Sequence, residues 1–383
     1  MNRMIEQVHS LPELIRESLP EFDERVRNAL DHKFCLSLKR LFITGCGDSH
    51  HASLTSELAF EALAGVPTEP MTALQYAHYA AGYMPDTGPG TNAVIGISVS
   101  GEVTRTLEAL NFARQEGAVS IALTATPGSR IAEAGDLQVY TTIRPFPDPP
   151  GTFTPGVRTY AATQLALYII AIRIGEVRGH LSTPEADDLR GQLQELAEAA
   201  ESTIDSCDKA SLELAESLAE AKEFVFAGGG PNFGTALFSA AKVLEASGDP
   251  ALGQDLEEWA HLQYFTREPA TPTFYISTTK RDLPRAVEVV EAAKIIGRQV
   301  VAIVPGSDRQ AVNKVEFVLP LADGMPEVFA PLVAAIPGEL FAAHRADLIG
   351  ETFFRGFGGG RSVEGGGGAS RIRTGQLLPE FPR

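Results

Sequence analysis

The chain has 383 residues, 44% of them hydrophobic and 21% charged, and a formal net charge of −17. That length and composition exclude a disordered chain and leave room for two domains of ordinary size. The negative balance disfavours nucleic acid and anionic membranes as partners. A bound phosphate therefore has to be held by local hydroxyls, amides and a few cations.

Cys35, Cys46 and Cys207 share no metal-ligand or redox spacing and cannot build a disulfide framework. No apolar run reaches the ~18 residues of a bilayer span; the longest, 165–172, is soon interrupted by Arg173 and Glu176. The first residues lack the apolar stretch of a signal peptide. A reducing, cytoplasmic setting is expected.

Residues 2–34 read as one or two amphipathic helices, broken at Pro12 and Pro20. A strand at 40–44 ends in Gly45-Cys46-Gly47-Asp48-Ser49, and a helical pattern follows over 51–63. The next strand, 93–97, runs into Ser98-Val99-Ser100-Gly101-Glu102-Val103-Thr104-Arg105-Thr106 and a helix to about 116, with Leu107, Leu110 and Ala113 on one face. Closely spaced hydroxyls at a helix start hold phosphate well, with Ser98, Ser100, Thr104 and Thr106 as candidates; an N-cap with a polar turn is the simpler alternative. Strands at 119–124 and 137–142 flank Thr126-Pro127-Gly128-Ser129.

After an acidic helical stretch, 184–220, the layout returns. A strand at 223–227 ends in Gly228-Gly229-Gly230, and a helix covers 233–246. The strand 273–276 meets Ser277-Thr278-Thr279, a helix covers 283–296, and 299–304 leads into Pro305-Gly306-Ser307 before a last strand at 317–319. Matched Gly loops, hydroxyl loops and Pro-Gly-Ser turns in one order indicate an internal duplication. The expected class is α/β, with two tandem doubly wound parallel sheets sandwiched by helices. The expected division is a helical segment at 1–34, domains at 35–180 and 181–345, and a Gly-rich tail at 346–383.

In such sheets ligands sit beyond the carboxyl ends of the strands, where all these loops lie. Neither Gly loop is followed by Gly-x-Gly-x-x-Gly, so no nicotinamide cofactor, and no cofactor of any kind, is expected. Adjacent His50 and His51 point about 100° apart on a helix, so no metal site is expected either.

These motifs resemble the sugar isomerase (SIS) domain family, and more closely the isomerase half of the glucosamine-6-phosphate synthases, over roughly residues 1–345. Ser98-Val99-Ser100-Gly101-Glu102 is similar to the family's Ser-Gln-Ser-Gly-Glu-Thr phosphate loop, and Gly45-Cys46-Gly47-Asp48-Ser49 to its Cys-Gly-Thr-Ser loop. Ile5-Glu6-Gln7 with Leu11-Pro12-Glu13-Leu14-Ile15-Arg16 resembles its first helix, and Thr159-Tyr160-Ala161-Ala162-Thr163-Gln164-Leu165 its Thr-Lys-Ala-Phe-Thr-Thr-Gln-Leu segment. Ala241-Lys242-Val243-Leu244-Glu245-Ala246-Ser247 resembles its Leu-Lys-Leu-Lys-Glu-Ile-Ser segment.

The resemblance implies that Ser49, Ser98, Ser100 and Thr104, with the amides of Val99 to Gly101, hold a sugar phosphate. It implies that Glu245 moves a proton between sugar C1 and C2, steadied by Lys242. His261, sixteen positions after Glu245, is implied to assist ring opening. In relatives this histidine reaches the neighbouring subunit's site, which implies a homodimer with shared sites. On the residues alone, Lys242 and Glu245 are neighbours at i and i+3. A salt bridge on the surface fits that spacing equally, and His261 equally fits a surface histidine.

Four departures qualify the match. Residue 2 is Asn and no glutaminase part precedes the sugar module, so glutamine is not the expected nitrogen source. Val103 stands where the family has a phosphate-binding threonine. The family lysine after Thr159 is absent, with Arg158 nearby. The lysine-bearing tail is replaced by a Gly-rich run containing Arg355 and Arg361, then Arg371 and Arg373. That run is either a flexible linker or a lid whose arginines, Arg355 and Arg361 first, close on an anionic substrate.

The expected function is isomerase or deaminase chemistry on an amino sugar 6-phosphate. The alternative within the same chemistry is deglycation of a fructosamine 6-phosphate. The alternative from another class, a non-catalytic sugar-phosphate sensor, usually brings a helix-turn-helix domain and a basic surface.

Overall fold

The computed structural model describes residues 2–84, 88, 90–149, 153–357 and 373–378. The chain divides into two compact units: one comprises 14–145, 159–194 and 357–383, the other 1–13, 146–158 and 195–356.

Three helices, α1 (Arg3–His9), α2 (Leu11–Ala29) and α3 (His32–Ser37), precede the first strand. The break after α1 falls at Ser10, not Pro12, and α2 runs unbroken through Pro20. Pro12 lies in the first turn of α2, where its missing N–H has no partner to lose. Pro20 is exposed, while Leu14, Ile15, Leu19, Phe22 and Val26 are buried along the helix on either side of it.

The first unit is built on β1 (Arg40–Gly45), β2 (Thr68–Thr72), β3 (Asn92–Ile97), β4 (Val119–Thr124) and β5 (Leu137–Tyr140), in the order β2-β1-β3-β4-β5. All neighbours are parallel, with Thr44 opposite Gly96 between β1 and β3. The central strand β3 is buried along its whole length, as a parallel strand covered on both faces must be. Its helices are α4 (Asp48–Ala59), which ends in a π-turn, then α5 (Ala73–Gln75), α6 (Thr104–Gln115) and α7 (Arg130–Ala134).

Two long helices follow, α8 (Arg158–Arg178) and α9 (Thr183–Ser217). By length and composition α8 could cross a membrane, but 89% of its most apolar window is buried inside the protein. Its apolarity belongs to a core.

The second unit is built on β6 (Phe224–Gly228), β7 (Ala251–Asp255), β8 (Thr273–Ile276), β9 (Val300–Pro305) and β10 (Phe317–Leu321), in the order β10-β9-β8-β6-β7. Read from the β7 edge this repeats the order of the first sheet, and every pair is again parallel. Around it stand α10 (Pro231–Ala246), α11 (Leu256–Leu262), α12 (Leu283–Ile295), α13 (Arg309–Val312), α14 (Pro331–Ala334) and α15 (Ile336–Ile349). Trp259 and Tyr275 meet edge to face in one core, with Val225, Val289 and Val290 around them.

The repeat extends to single backbone angles. Gly47 (φ 57°, ψ −128°) begins α4 and Gly230 (φ 53°, ψ −128°) begins α10. At both places only glycine adopts the turn without strain. Two residues earlier, a β-carbon on Gly45 would stand 2.6 Å from Ser49 Cβ, and one on Gly228 2.4 Å from the Asn232 carbonyl. Each sheet thus has a helix pressed against the end of its second-ranked strand, next to the point where strand order reverses.

Candidate functional site

The hydroxyl loop leaves β3 at that reversal point. Ser98 donates its backbone N–H to Leu123 O at 3.0 Å, and Gly101 donates to Ser98 O at 3.1 Å, closing a tight turn. Gly101 has φ +70°, and a β-carbon there would stand 1.9 Å from Ser129 Oγ. Val103 precedes α6 without a side-chain cap, which leaves the first-turn amides open to an anion. Ser98 is 2% exposed, and its Oγ is buried without a hydrogen-bond partner among the described residues. Such a group costs roughly 1–3 kcal/mol unless something else satisfies it.

The other predicted phosphate groups lie in the same loops. Ser100 is exposed, and its Oγ accepts the Glu102 N–H at 3.4 Å. Val99 O accepts from Thr126 Oγ1 at 3.0 Å. Ser49 sits on the first turn of α4, half-buried beside Gly45. Glu102 accepts the Arg130 N–H at 3.3 Å and so steadies the start of α7.

Thr104 is 1% exposed, and its hydroxyl donates to Gly375 O at 2.8 Å. Next to it Arg105 donates to Gln376 O and lies 2.8 Å from Glu108. The buried Glu108 also meets His78 at 3.3 Å and accepts the Leu378 N–H. Sequence reasoning missed Arg105, Glu108 and His78, although Arg105 and Glu108 carry the i,i+3 spacing of an ion pair.

Burial acts on two neighbouring groups. Burial pushes the Cys46 thiol up, against weaker pulls from Thr106, Arg105 and Arg373, although the residue as a whole remains exposed. Burial, helped by His51, pushes His50 down to about 4.

In the second unit Lys242 is completely buried on α10, with its Nζ paired to Glu245 and 4.8 Å from the Phe238 ring centre. The Glu245 side chain is 24% exposed. A buried ammonium thus orients a carboxylate that still reaches the surface. Lys242 and Glu245 are brought together as predicted; His261 stands elsewhere.

The helix α10 returns from the carboxyl end of β6 to the amino end of β7, since those strands are parallel neighbours. Glu245, next to the last residue of α10, lies at the amino-terminal edge of the sheet. His261 lies in α11, which starts at the carboxyl end of β7. The five residues of β7 span about 16 Å between those edges. The His261 ring is 65% exposed and bonds to Glu257 at 3.1 Å, itself clamped by Arg285 at 2.7 and 2.9 Å.

Arg355 lies against the turn after α10: a β-carbon on Gly248 would stand 2.9 Å from its Cδ. Phe354 and Arg355 both have left-handed backbones, φ 55° and 51°, a conformation that costs non-glycine residues about 1–3 kcal/mol. Arg361 lies outside the described residues. Arg158, the neighbour of the missing family lysine, stacks over Phe146 and bonds to Ser10 Oγ at 2.5 Å.

The matching hydroxyl loop of the second unit is made differently. Ser277 Oγ donates to Asp282 at 2.7 Å, Thr279 Oγ1 to Glu327 at 3.1 Å, and Asn232 donates to Thr278 Oγ1 at 3.0 Å. Burial pushes the Asp282 carboxyl up, and that carboxyl stands 3.1 Å from where a β-carbon on Gly229 would be. Here carboxyl groups hold the hydroxyls of Ser277 and Thr279.

A parallel sheet with a hydroxyl loop at its reversal point defines the class. Residues 36–172, the stretch that carries this loop, match the SIS domain, and this part of the chain is a SIS domain. The chain is similar to glutamine–fructose-6-phosphate aminotransferase [isomerizing] of Gloeobacter violaceus, 26% identical over 351 residues, covering 90% of this chain and 55% of the relative. It is also similar to that of Thermococcus kodakarensis, 28% identical over 349 residues, covering 91% and 55%. The chain thus spans about half the length of the curated relatives it matches. Its fold is that of the C-terminal domain of glucosamine-fructose-6-phosphate aminotransferase from Francisella tularensis, with a TM-score of 0.78 at 19% identity, covering 91% of this chain and 97% of that one.

Proposed function

We propose that the chain is an enzyme of phosphosugar isomerase chemistry, built of two tandem SIS domains and acting on an amino sugar 6-phosphate. Ser49, Ser98, Ser100 and Thr104, with the amides of Val99 and Gly101, bind the phosphate. Glu245 takes the proton from C2 of the open-chain amino sugar and returns it to C1, while the aldehyde oxygen gains a proton. The resulting C2 imine adds water and releases ammonia, leaving a ketose phosphate. Lys242 is a positioning residue that holds Glu245 in place. His261 opens the ring by moving a proton between the ring oxygen and O1, at a pKa suited to both directions.

The observation that carries this reading is the fully buried Lys242 presenting a partly exposed Glu245. A salt bridge serving only the surface has no need of a desolvated ammonium, which costs several kcal/mol unless its partner repays it. Because β7 separates the ends that bear Glu245 and His261, the reading gives His261 to the site of a second copy in a homodimer.

The test is Glu245→Gln with glucosamine 6-phosphate deuterated at C2. The variant should bind fructose 6-phosphate normally while ammonia release and loss of deuterium to water both stop. Undiminished washout of deuterium would remove Glu245 from the chemistry. A sensor would keep its ligand response in this variant and show no turnover in the wild type.

One observation favours a second substrate. Arg355 packs against Gly248, three residues beyond Glu245, where a guanidinium suits a substrate carrying a second anion. A fructosyl-amino-acid 6-phosphate fits. There the proton goes from C1 to C2, and hydrolysis of the C1 imine releases the amino acid and an aldose phosphate.

A further inference from the structure

We infer that the first two turns of α6 are the docking surface for this chain's own carboxyl-terminal segment, residues 375–378, and that the docked segment excludes a phosphate ester from Thr104. The docking stands on contacts within one unit; the exclusion rests on the phosphate role proposed above for Thr104.

Among the described residues, three hydrogen bonds tie the segment to α6, and each runs through the segment's main chain. Consecutive carbonyls, Gly375 O and Gln376 O, accept from the Thr104 hydroxyl and the Arg105 guanidinium, and the Leu378 N–H is donated to Glu108. Residues 104 and 108 share one face of α6, four positions apart. The acceptor is held from other sides as well. Glu108 is 2% exposed, and Arg105 and His78 hold its carboxylate at 2.8 and 3.3 Å. A buried carboxylate needs donors on its remaining lone pairs, and the Leu378 N–H supplies one.

The same contacts close the anion site. A hydroxyl has one hydrogen to donate. While Thr104 gives it to Gly375 O, it cannot give it to a phosphate oxygen. Arg105, the cation on that first turn, is held at the same time by Gln376 O and Glu108. Arg373 stands close enough to pull the Cys46 thiol downward, so the segment also reaches toward the Gly45–Ser49 loop. A phosphate ester that binds here has to displace the segment first. The phosphate affinity is therefore lowered by the population of the docked state.

The test uses the full chain with Leu378→Pro, which removes the N–H donor without touching α6, and Leu378→Ala, which keeps it. Hydrogen exchange by mass spectrometry reads residues 98–108 and 374–378, and calorimetry reads fructose 6-phosphate and inorganic phosphate. Exchange at 374–378 should be slow in the wild type and in Leu378→Ala, and fast in Leu378→Pro. Fructose 6-phosphate should slow exchange at 98–106 and speed it at 374–378 in the wild type, and Leu378→Pro should bind it roughly three- to tenfold more tightly, the worth of about one hydrogen bond. Ligand that binds while 374–378 stays slow, or equal affinity in the two proteins, overturns the exclusion. If no phosphate compound alters 98–106 in any of the proteins, the phosphate reading fails instead. The docking is then judged by the exchange of 374–378 alone, and equal rates in Leu378→Pro and wild type overturn it.

Discussion

Ser129 Oγ occupies the space that any side chain at residue 101 would enter, 1.9 Å from the position of a β-carbon on Gly101. The loop that carries Ser98 is thereby locked between a left-handed glycine and the start of α7. Replacing Gly101 by Ala adds both a backbone penalty and a collision, together about 2 kcal/mol. Thermal unfolding should show that loss, and binding of fructose 6-phosphate should weaken at least about tenfold if the backbone amides matter as expected. The double variant Gly101→Ala/Ser129→Gly removes the collision alone. It should recover part of the stability and little of the binding; full recovery of binding would mean that the turn's shape is irrelevant to it.

Lys242→Met tests the positioning role. The change fills the same buried volume with an apolar chain and removes the ammonium from Glu245, whose side chain is 24% exposed. Stability should therefore move by no more than about 1 kcal/mol. Turnover should fall roughly 10- to 100-fold with KM nearly unchanged, because an interaction made for the transition state has been removed. A rise in KM at constant kcat would make Lys242 a binding residue.

Arg355→Ala separates the two substrates. It should raise KM for a fructosyl-amino-acid 6-phosphate by about tenfold or more, the worth of a charge-assisted contact, and leave glucosamine 6-phosphate unaffected. Equal effects on both would show that Arg355 supports the turn around Gly248 rather than a substrate anion.

Asp208 predicts a pH effect on the second unit. Burial pushes its carboxyl up, but hydrogen bonds from His344 at 2.6 Å and His9 at 2.7 Å outweigh burial and leave it below the usual aspartate value. A depressed carboxyl stabilises the fold above its unfolded pKa, and that contribution is lost as pH falls through the folded pKa. Asp208→Asn should therefore be less stable than wild type at pH 6 by about 1 kcal/mol, after allowing for solvent screening of a partly exposed pair. The difference should shrink as the pH is taken below about 4. A gap of constant size down to pH 2 would show that the carboxylate's charge is not involved.

The central strands could be read from the sequence because a parallel strand buried on both faces must be apolar: β3, β4, β6, β8 and β9 all stand where apolar runs end in Gly or hydroxyl loops. Two of the edge strands, β2 and β7, could not. Thr68–Thr72 (Thr-Glu-Pro-Met-Thr) and Ala251–Asp255 (Ala-Leu-Gly-Gln-Asp) are half-buried, and an edge tolerates Pro and Gly that a centre would not. The spacing of Lys242 and Glu245 was legible, but their burial was not, because i,i+3 pairs look alike on a surface and in a core. The separation of His261 from Glu245 followed only once β7 was known to lie between them. The tail contacts of Thr104 were invisible for a different reason: they run through main-chain groups, which leave no mark on side-chain identity.

The acidic substitutions in the second hydroxyl loop set a stoichiometry. With Asp282 and Glu327 holding Ser277 and Thr279, a dianion there would face carboxyl groups, where the site proposed in the other sheet offers amides. On the phosphate role proposed for the first loop, doubling the architecture does not double the capacity. Titrated to saturation, each polypeptide should take up a single phosphorylated molecule.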